Sequence, residues 1–214
     1  MNTVLFDLDG TLTDPREGIT RSLAYALERL GIEPRPLDDL TFAIGPPLRG
    51  SLARLIGNGD PAAIERALSL FRERFADIGI FENHPYDGIP EALAELRARG
   101  SALHVATSKP AVYAVRIVER FGLAPHFVAV HGCELDGTRE DKRDLIAHLM
   151  PFHRIDPGRA TMVGDRGVDM AAARHHGLRA VGALWGYGTR EELLQGGAQA
   201  LCSAPEALGA LLGG

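Results

Sequence analysis

Two aspartates separated by a single residue, Asp7 and Asp9, stand in the run Asp7-Leu8-Asp9-Gly10-Thr11. A second acidic pair, Asp165 and Asp169, lies in Gly164-Asp165-Arg166-Gly167-Val168-Asp169. Between them in sequence come Thr107-Ser108-Lys109 and Lys142. If the fold gathers these groups, four carboxylates will share one place. In a partly dry site each like pair costs several kcal/mol or forces protonation. A bound cation removes that cost. Oxygen-only ligands select a hard ion, and a site with few protein ligands suits Mg²⁺, which keeps waters and takes a substrate phosphate. A lysine and a small hydroxyl can hold phosphate oxygens, and the backbone N–H groups from Gly10 onward add a further phosphate device.

Alone, each piece has an ordinary reading. Asp9-Gly10 is a common turn pair. Thr107-Ser108 before Lys109-Pro110 suits a helix cap. Lys142 reads as a surface lysine and Gly164-Asp165 as a loop. What joins them is the elements that must carry them. Short apolar runs at Val4–Phe6, Leu103–Ala106, Phe127–Val130, Thr161–Val163 and Ala180–Leu184 alternate with amphipathic segments. Ile89, Leu93 and Leu96 mark one helical face. Val112, Val115 and Val118 mark another, and Leu145, Ile146 and Leu149 a third. This alternation predicts a doubly wound, Rossmann-like α/β fold, with parallel strands and helices on both sides. Functional groups in such a sheet collect beyond the carboxyl ends of the strands. Asp7 and Asp9, Thr107 to Lys109, and Asp165 to Asp169 each follow a strand, so all fall at one edge. Lys142 lies near the start of a helix after the third strand.

The segment from Pro15 to Phe81 breaks the alternation. Ile19, Leu23, Leu27 and Leu30 recur at helical spacing, as do Leu48, Leu52 and Leu55. Asp60-Pro61 is a good helix start, followed by Ile64, Leu68, Phe71 and Phe75. Some four helices inserted after the first strand suggest an all-helical cap subdomain over residues 15–82, on a core of residues 1–14 and 83–214. Paired crossings near Asp14-Pro15 and Glu82–Pro85 are where a hinge would sit.

The bulk numbers narrow the function. The chain has 214 residues, 45% of them apolar, with a net charge of -5 and a pI of about 5.9. An acidic balance with scattered arginines argues against nucleic-acid binding. No segment approaches the ~20 apolar residues of a membrane span. The apolar run at Val4 is too short for a signal peptide, and Cys133 and Cys202 read as free thiols, so a cytoplasmic location is expected. The eight histidines show no metal-ligand spacing. His104 reads as a core residue of an apolar strand, and His175-His176 as a helix end.

The motifs together resemble the haloacid dehalogenase-like superfamily of hydrolases. Asp7-Leu8-Asp9-Gly10-Thr11-Leu12-Thr13 is similar to its first motif, Thr107-Ser108 to the second, Lys142 to the third, and Gly164-Asp165 with Asp169 to the fourth. Asp14 to Ile19, Ile44–Leu48 and Asp136–Arg139 resemble the phosphoglycolate phosphatase and 5′-nucleotidase-like branch. Lys142 lacks the Lys-Pro-x-Pro run of many phosphoglycolate phosphatases, which favours the nucleotidase-like group. The resemblance implies hydrolysis of a small phosphorylated metabolite. Asp7 would be the nucleophile and Asp9 the acid/base. Lys142 and Thr107 would orient the phosphoryl group, with Gly10 and Ser108 beside it. Mg²⁺ would be held by Asp7, the Asp9 carbonyl and Asp165, with Asp169 a direct or water-mediated ligand. Arg49 in the cap is a candidate for the far end of the substrate. A sugar phosphomutase would use the same motifs, and a receiver-type phosphoaspartate switch shares the acidic edge without needing the inserted helices. The expected assembly is a monomer or homodimer.

Overall fold

The computed structural model describes residues 2–33, 35–57 and 59–212. It divides into two compact units, Met1–Asp14 with Pro85–Gly214, and Pro15–His84. The first unit contains a six-stranded sheet. Its strands are β1 (Thr3–Phe6), β4 (Ala102–Pro110), β5 (Ala129–Cys133), β6 (Ala160–Gly164), β7 (Arg179–Ala183) and β8 (Ala200–Cys202). Two-residue strands, β2 (Thr13–Asp14) and β3 (His84–Pro85), mark the crossings between the units. The sheet order is β5-β4-β1-β6-β7-β8, and every pairing is parallel. Counted along the chain this is the doubly wound order 3-2-1-4-5-6, which reverses at the first strand, where such sheets open a crevice for a ligand.

Helices α4 (Ile89–Ala98), α5 (Ala111–Arg120), α6 (Lys142–His153), α7 (Gly167–His175), α8 (Arg190–Gly196) and α9 (Leu208–Leu212) flank this sheet. Alternation along the strands sets which side chains face which layer. Leu5, Ala106 and Met162 join Leu145, Ile146 and Leu149 of α6 and Met170, Ala172 and Ala173 of α7 in one buried cluster. Ile89, Leu93 and Leu96 are fully buried, as their spacing predicts.

Several readings from the sequence need correction, among them that Thr107 to Lys109 follow the second strand: β4 runs from Ala102 to Pro110 and contains them. On α5 the buried face is Ala114, Ile117 and Val118, whereas Val112 is 53% exposed and Val115 37%. The third strand begins at Ala129 rather than Phe127, because a 3₁₀ turn occupies Ala124–His126 and Phe127 serves as its C-terminal cap. Strand β8 was not anticipated; three residues at a sheet edge carry too little periodicity to register.

The second unit holds three α-helices among the described residues, not some four. These are α1 (Arg16–Arg29), α2 (Leu48–Ile56) and α3 (Pro61–Phe75), with 3₁₀ turns at Leu37–Ala43 and Gly79–Phe81. Asp60 caps α3 by accepting the N–H of Ala62, ahead of Pro61 in the first turn. Leu23, Leu27, Leu52 and Leu68 are buried within the unit. Glu82 takes both guanidinium nitrogens of Arg74 (2.7 and 2.9 Å) and one of Arg21 (3.1 Å). The Arg74 fork, followed by that of Arg21, holds its carboxyl below the usual range.

Candidate phosphoryl-transfer site

At the carboxyl end of β1 the chain turns back on itself. Leu8 O accepts from the N–H groups of Thr11, Leu12 and Thr13. This tight loop aims Asp7 and Asp9 past the end of the strand. Gly10 is required twice over: its φ is +82°, and a Cβ there would lie 2.3 Å from Asp165 Oδ2. The carboxylate of the fourth motif therefore presses directly on the backbone of the first.

Six polar or charged side chains meet at this edge, all at least nine-tenths buried: Asp7, Asp9, Thr107, Lys142, Asp165 and Asp169. Lys142 Nζ is 3.0 Å from Asp7 Oδ1 and also pairs with Asp169 Oδ1. Lys142 is the first residue of α6, and Asp141 caps that helix by accepting the N–H of Arg143. A helix N-terminus is the unfavourable end for a cation, and burying an ammonium costs more again. Burial alone would push Lys142 down; Asp169 and then Asp7 outweigh it and hold the group above its ordinary value. The reading of Lys142 as a surface lysine is excluded by this burial.

The two aspartates of the first motif differ in surroundings. Asp7 Oδ1 accepts from Leu8 N–H at 2.8 Å as well as facing Lys142. Asp9 Oδ2 faces Lys109 Nζ at 2.8 Å, while its buried Oδ1 has no hydrogen-bond partner. Burial pushes the Asp9 carboxyl up; Lys109 opposes this, and the charge of Asp7 adds to it. Asp165 accepts from Thr11 Oγ1 (3.2 Å) and Tyr187 N–H (2.8 Å). Burial, then the charges of Asp169 and Asp7, raise its carboxyl well above the usual range. Asp169 accepts from the N–H of Arg166 at 3.0 Å, and burial, against the pull of Lys142, brings it to about 6.

Asp7, Asp165 and Asp169 offer carboxylate oxygens within 4.8 Å of one another. The residues present fit a hard cation: the donors are all oxygen, and the elevated Asp165 and Asp169 record a repulsion that positive charge would relieve.

Ser108 and Gly10 also fall at this edge. Ser108 is half-buried, and its carbonyl accepts from Cys133 Sγ at 3.0 Å. Thr107 Oγ1 accepts from Lys109 N–H at 3.2 Å. Arg49 lies on α2 of the helical unit, where its Nε pairs with Glu65 at 2.9 Å.

The sequence reading missed several site residues. Lys109 carries no sequence signal for a role at this edge; its salt bridge to Asp9 shows only in three dimensions. The loop after β7, Trp185-Gly186-Tyr187-Gly188, closes over the acidic cluster. Trp185 Nε1 donates to Thr11 O at 3.0 Å, and Tyr187 donates its hydroxyl to Asp14. A Cβ at Gly186 would lie 2.3 Å from Gly10 O and 2.3 Å from Asp165 Cβ. An aromatic–glycine alternation between a strand and a helix was the available signal. Tyr86 is a neighbour of this loop; burial, then the charges of Asp14 and Asp165, push its hydroxyl up.

A doubly wound sheet with an acidic cluster and one buried lysine at its switch point defines a phosphate-handling α/β hydrolase class. Within that class, this chain belongs to the haloacid dehalogenase-like hydrolase family, whose profile matches residues 4–183. It is 47% identical over 190 residues to a 5′-nucleotidase of Pseudomonas aeruginosa, covering 89% of this chain and 86% of that one. It is 43% identical over 186 residues to the tyrosine-protein kinase PtkA of Mycobacterium tuberculosis, covering 86% of this chain and 62% of that longer protein. The crystal structure of a "predicted phosphatase" from Clostridium acetobutylicum superposes with a TM-score of 0.95 at 39% identity, covering 99% of this chain and 97% of the other. No helix among the described residues is long and apolar enough to cross a membrane.

Proposed function

We propose that the protein is a Mg²⁺-dependent phosphomonoesterase acting on a small phosphorylated metabolite, in first place a nucleoside 5′-monophosphate. The observation that carries this reading is the contrast between the two first-motif aspartates. Asp7 faces Lys142 and a backbone N–H, whereas Asp9 is elevated by burial and keeps one oxygen unpartnered. A carboxyl raised by burial, beside one that faces a cation, can divide with it the work of acid and nucleophile. The nucleotide preference rests on the 47% identity to the Pseudomonas 5′-nucleotidase.

Asp7 attacks phosphorus in line and forms an aspartyl-phosphate, while Asp9 gives its proton to the departing ester oxygen. Asp9, now a carboxylate, takes a proton from water as that water attacks the phosphorus. Inorganic phosphate leaves and Asp7 is restored. Lys142 and Thr107 hold and neutralise the transferring group, where charge stabilisation is the main demand. Asp169 keeps Lys142 aimed at Asp7. Asp7, the Asp9 carbonyl and Asp165 would hold the Mg²⁺. When bound, the ion neutralises phosphate charge and the repulsion among the carboxylates. Residues 15–82 are proposed as the cap, and Arg49 as its candidate for the substrate's far end.

The test is release of inorganic phosphate from an aryl phosphate, then from nucleoside monophosphates, phosphoglycolate and sugar phosphates. Turnover should need Mg²⁺ and vanish in excess chelator; full activity in chelator would overturn the metal assignment. Isomerisation of a sugar phosphate on adding its bisphosphate would favour a mutase instead. A long-lived phosphoaspartate without multiple turnover would favour a switch.

A further inference from the structure

Away from the acidic edge, the fold gathers three histidines far apart in sequence. His104 is on β4, His131 on β5, and His153 is the last residue of α6. Each offers a ring nitrogen, and the three nitrogens lie within 4.8 Å of one another. The His131 and His153 Nε2 atoms are only 2.8 Å apart. The rings of His104 and His153 have centroids 4.5 Å apart. His104 is 3% exposed, and its Nδ1 is buried without a hydrogen-bond partner. The spacings of 27 and 22 residues match no metal motif, so the group is not legible in the sequence.

We infer that His104, His131 and His153 form a binding site for a divalent transition-metal ion of the Zn²⁺ class, separate from the Mg²⁺ site. Three imidazoles are a recurrent donor set for Zn²⁺, with a fourth position left to water or another ligand. Nitrogens on a tetrahedral Zn²⁺, at about 2.0–2.1 Å each, stand roughly 3.3 Å apart. The His131–His153 separation of 2.8 Å is somewhat shorter than that value, and all three nitrogens lie within 4.8 Å of one another. Because His131 and His153 are only half-buried, their side chains can rotate to the tetrahedral spacing.

One further feature suits a cation here. His153 ends α6, where the carbonyl end of the helix dipole favours positive charge. Helix α6 links the two sites. Lys142 begins it and His153 ends it, 12 residues in all, or roughly 16 Å at ~1.5 Å per residue. Hard carboxylates at one end and imidazoles at the other select different ions.

The experiment is Co²⁺ titration of tag-free protein in millimolar Mg²⁺, read by visible absorption and followed by Zn²⁺ competition. One Co²⁺ per chain with a tetrahedral d–d band is expected, displaced by Zn²⁺. The band should persist in Asp165→Asn, which alters only the carboxylate cluster. His131→Gln and His153→Gln, at half-buried positions, should each weaken binding at least tenfold while circular dichroism stays native. Absence of the band in the native protein, or unchanged binding in a folded His131→Gln/His153→Gln double variant, would overturn the proposal. Loss of the band in Asp165→Asn but not in the histidine variants would assign the ion to the acidic cluster instead.

Discussion

Lys109 sits 2.8 Å from the carboxyl of Asp9, and this contact gives the proposed acid its most direct test. Burial raises Asp9 and Lys109 opposes the rise. Removing that charge with Lys109→Met should lift Asp9 further. The protonated acid would then persist to higher pH, so the alkaline limb of kcat/KM should move upward. A limb that stays in place would show that Asp9 does not set it. Asp7→Asn should lower turnover by at least ~10³-fold with unchanged circular dichroism, the scale expected when a covalent nucleophile is lost. Near-normal turnover would exclude Asp7 from that role.

Helix α6 carries Lys142 into the acidic cluster, and what seats the helix is Leu145, Ile146 and Leu149 in the buried cluster under the sheet. Leu149 is fully buried. Leu149→Ala should cost about 2–5 kcal/mol, read as a lower urea midpoint at constant m-value. The loop after β1 is held as strictly by an absence of atoms. Gly10→Ala places a methyl 2.3 Å from Asp165 Oδ2 at a φ of +82°. It should lower both the melting temperature and the turnover. Native melting and activity together would mean that Asp165 can move aside, and that its contact with Gly10 does not fix the site.

Acid stability belongs to the whole molecule, because it sums groups on separate elements. His104 and His131 are brought down to about 4, by burial first and then by His153. An unfolded histidine titrates near 6.5, so between pH 6.5 and 4 the unfolded chain takes up protons that the folded one refuses. Their contribution is complete above about 6.5 and is lost on acidification. Asp169, at about 6, has the opposite sign: its contribution is present at low pH and is lost as pH rises through 6. A His104→Gln/His131→Gln variant in metal-free buffer should therefore show a shallower fall in melting temperature between pH 6.5 and 4 than the native chain. Equal slopes would contradict the buried, neutral state of these rings.

The sequence by itself determined the parallel α/β class, the strand-end positions of Asp7 and Asp165, and a helical stretch after the first strand; Thr107 instead lies within β4, which continues through a register shift to Pro110. Periodicity and turn residues are local properties, and a strand's end is where its apolar run stops. The tertiary structure decided what no local pattern holds. It put Lys142 between Asp7 and Asp169, and Lys109 on Asp9. It buried Ile117 on α5 and exposed Val112, because the neighbouring layer, not hydrophobicity alone, selects the face. It also drew His104, His131 and His153 together from two strands and a helix end. Which groups meet depends on sheet order and register. These are fixed by packing of the whole chain, so partners far apart in sequence leave no trace in its spacing.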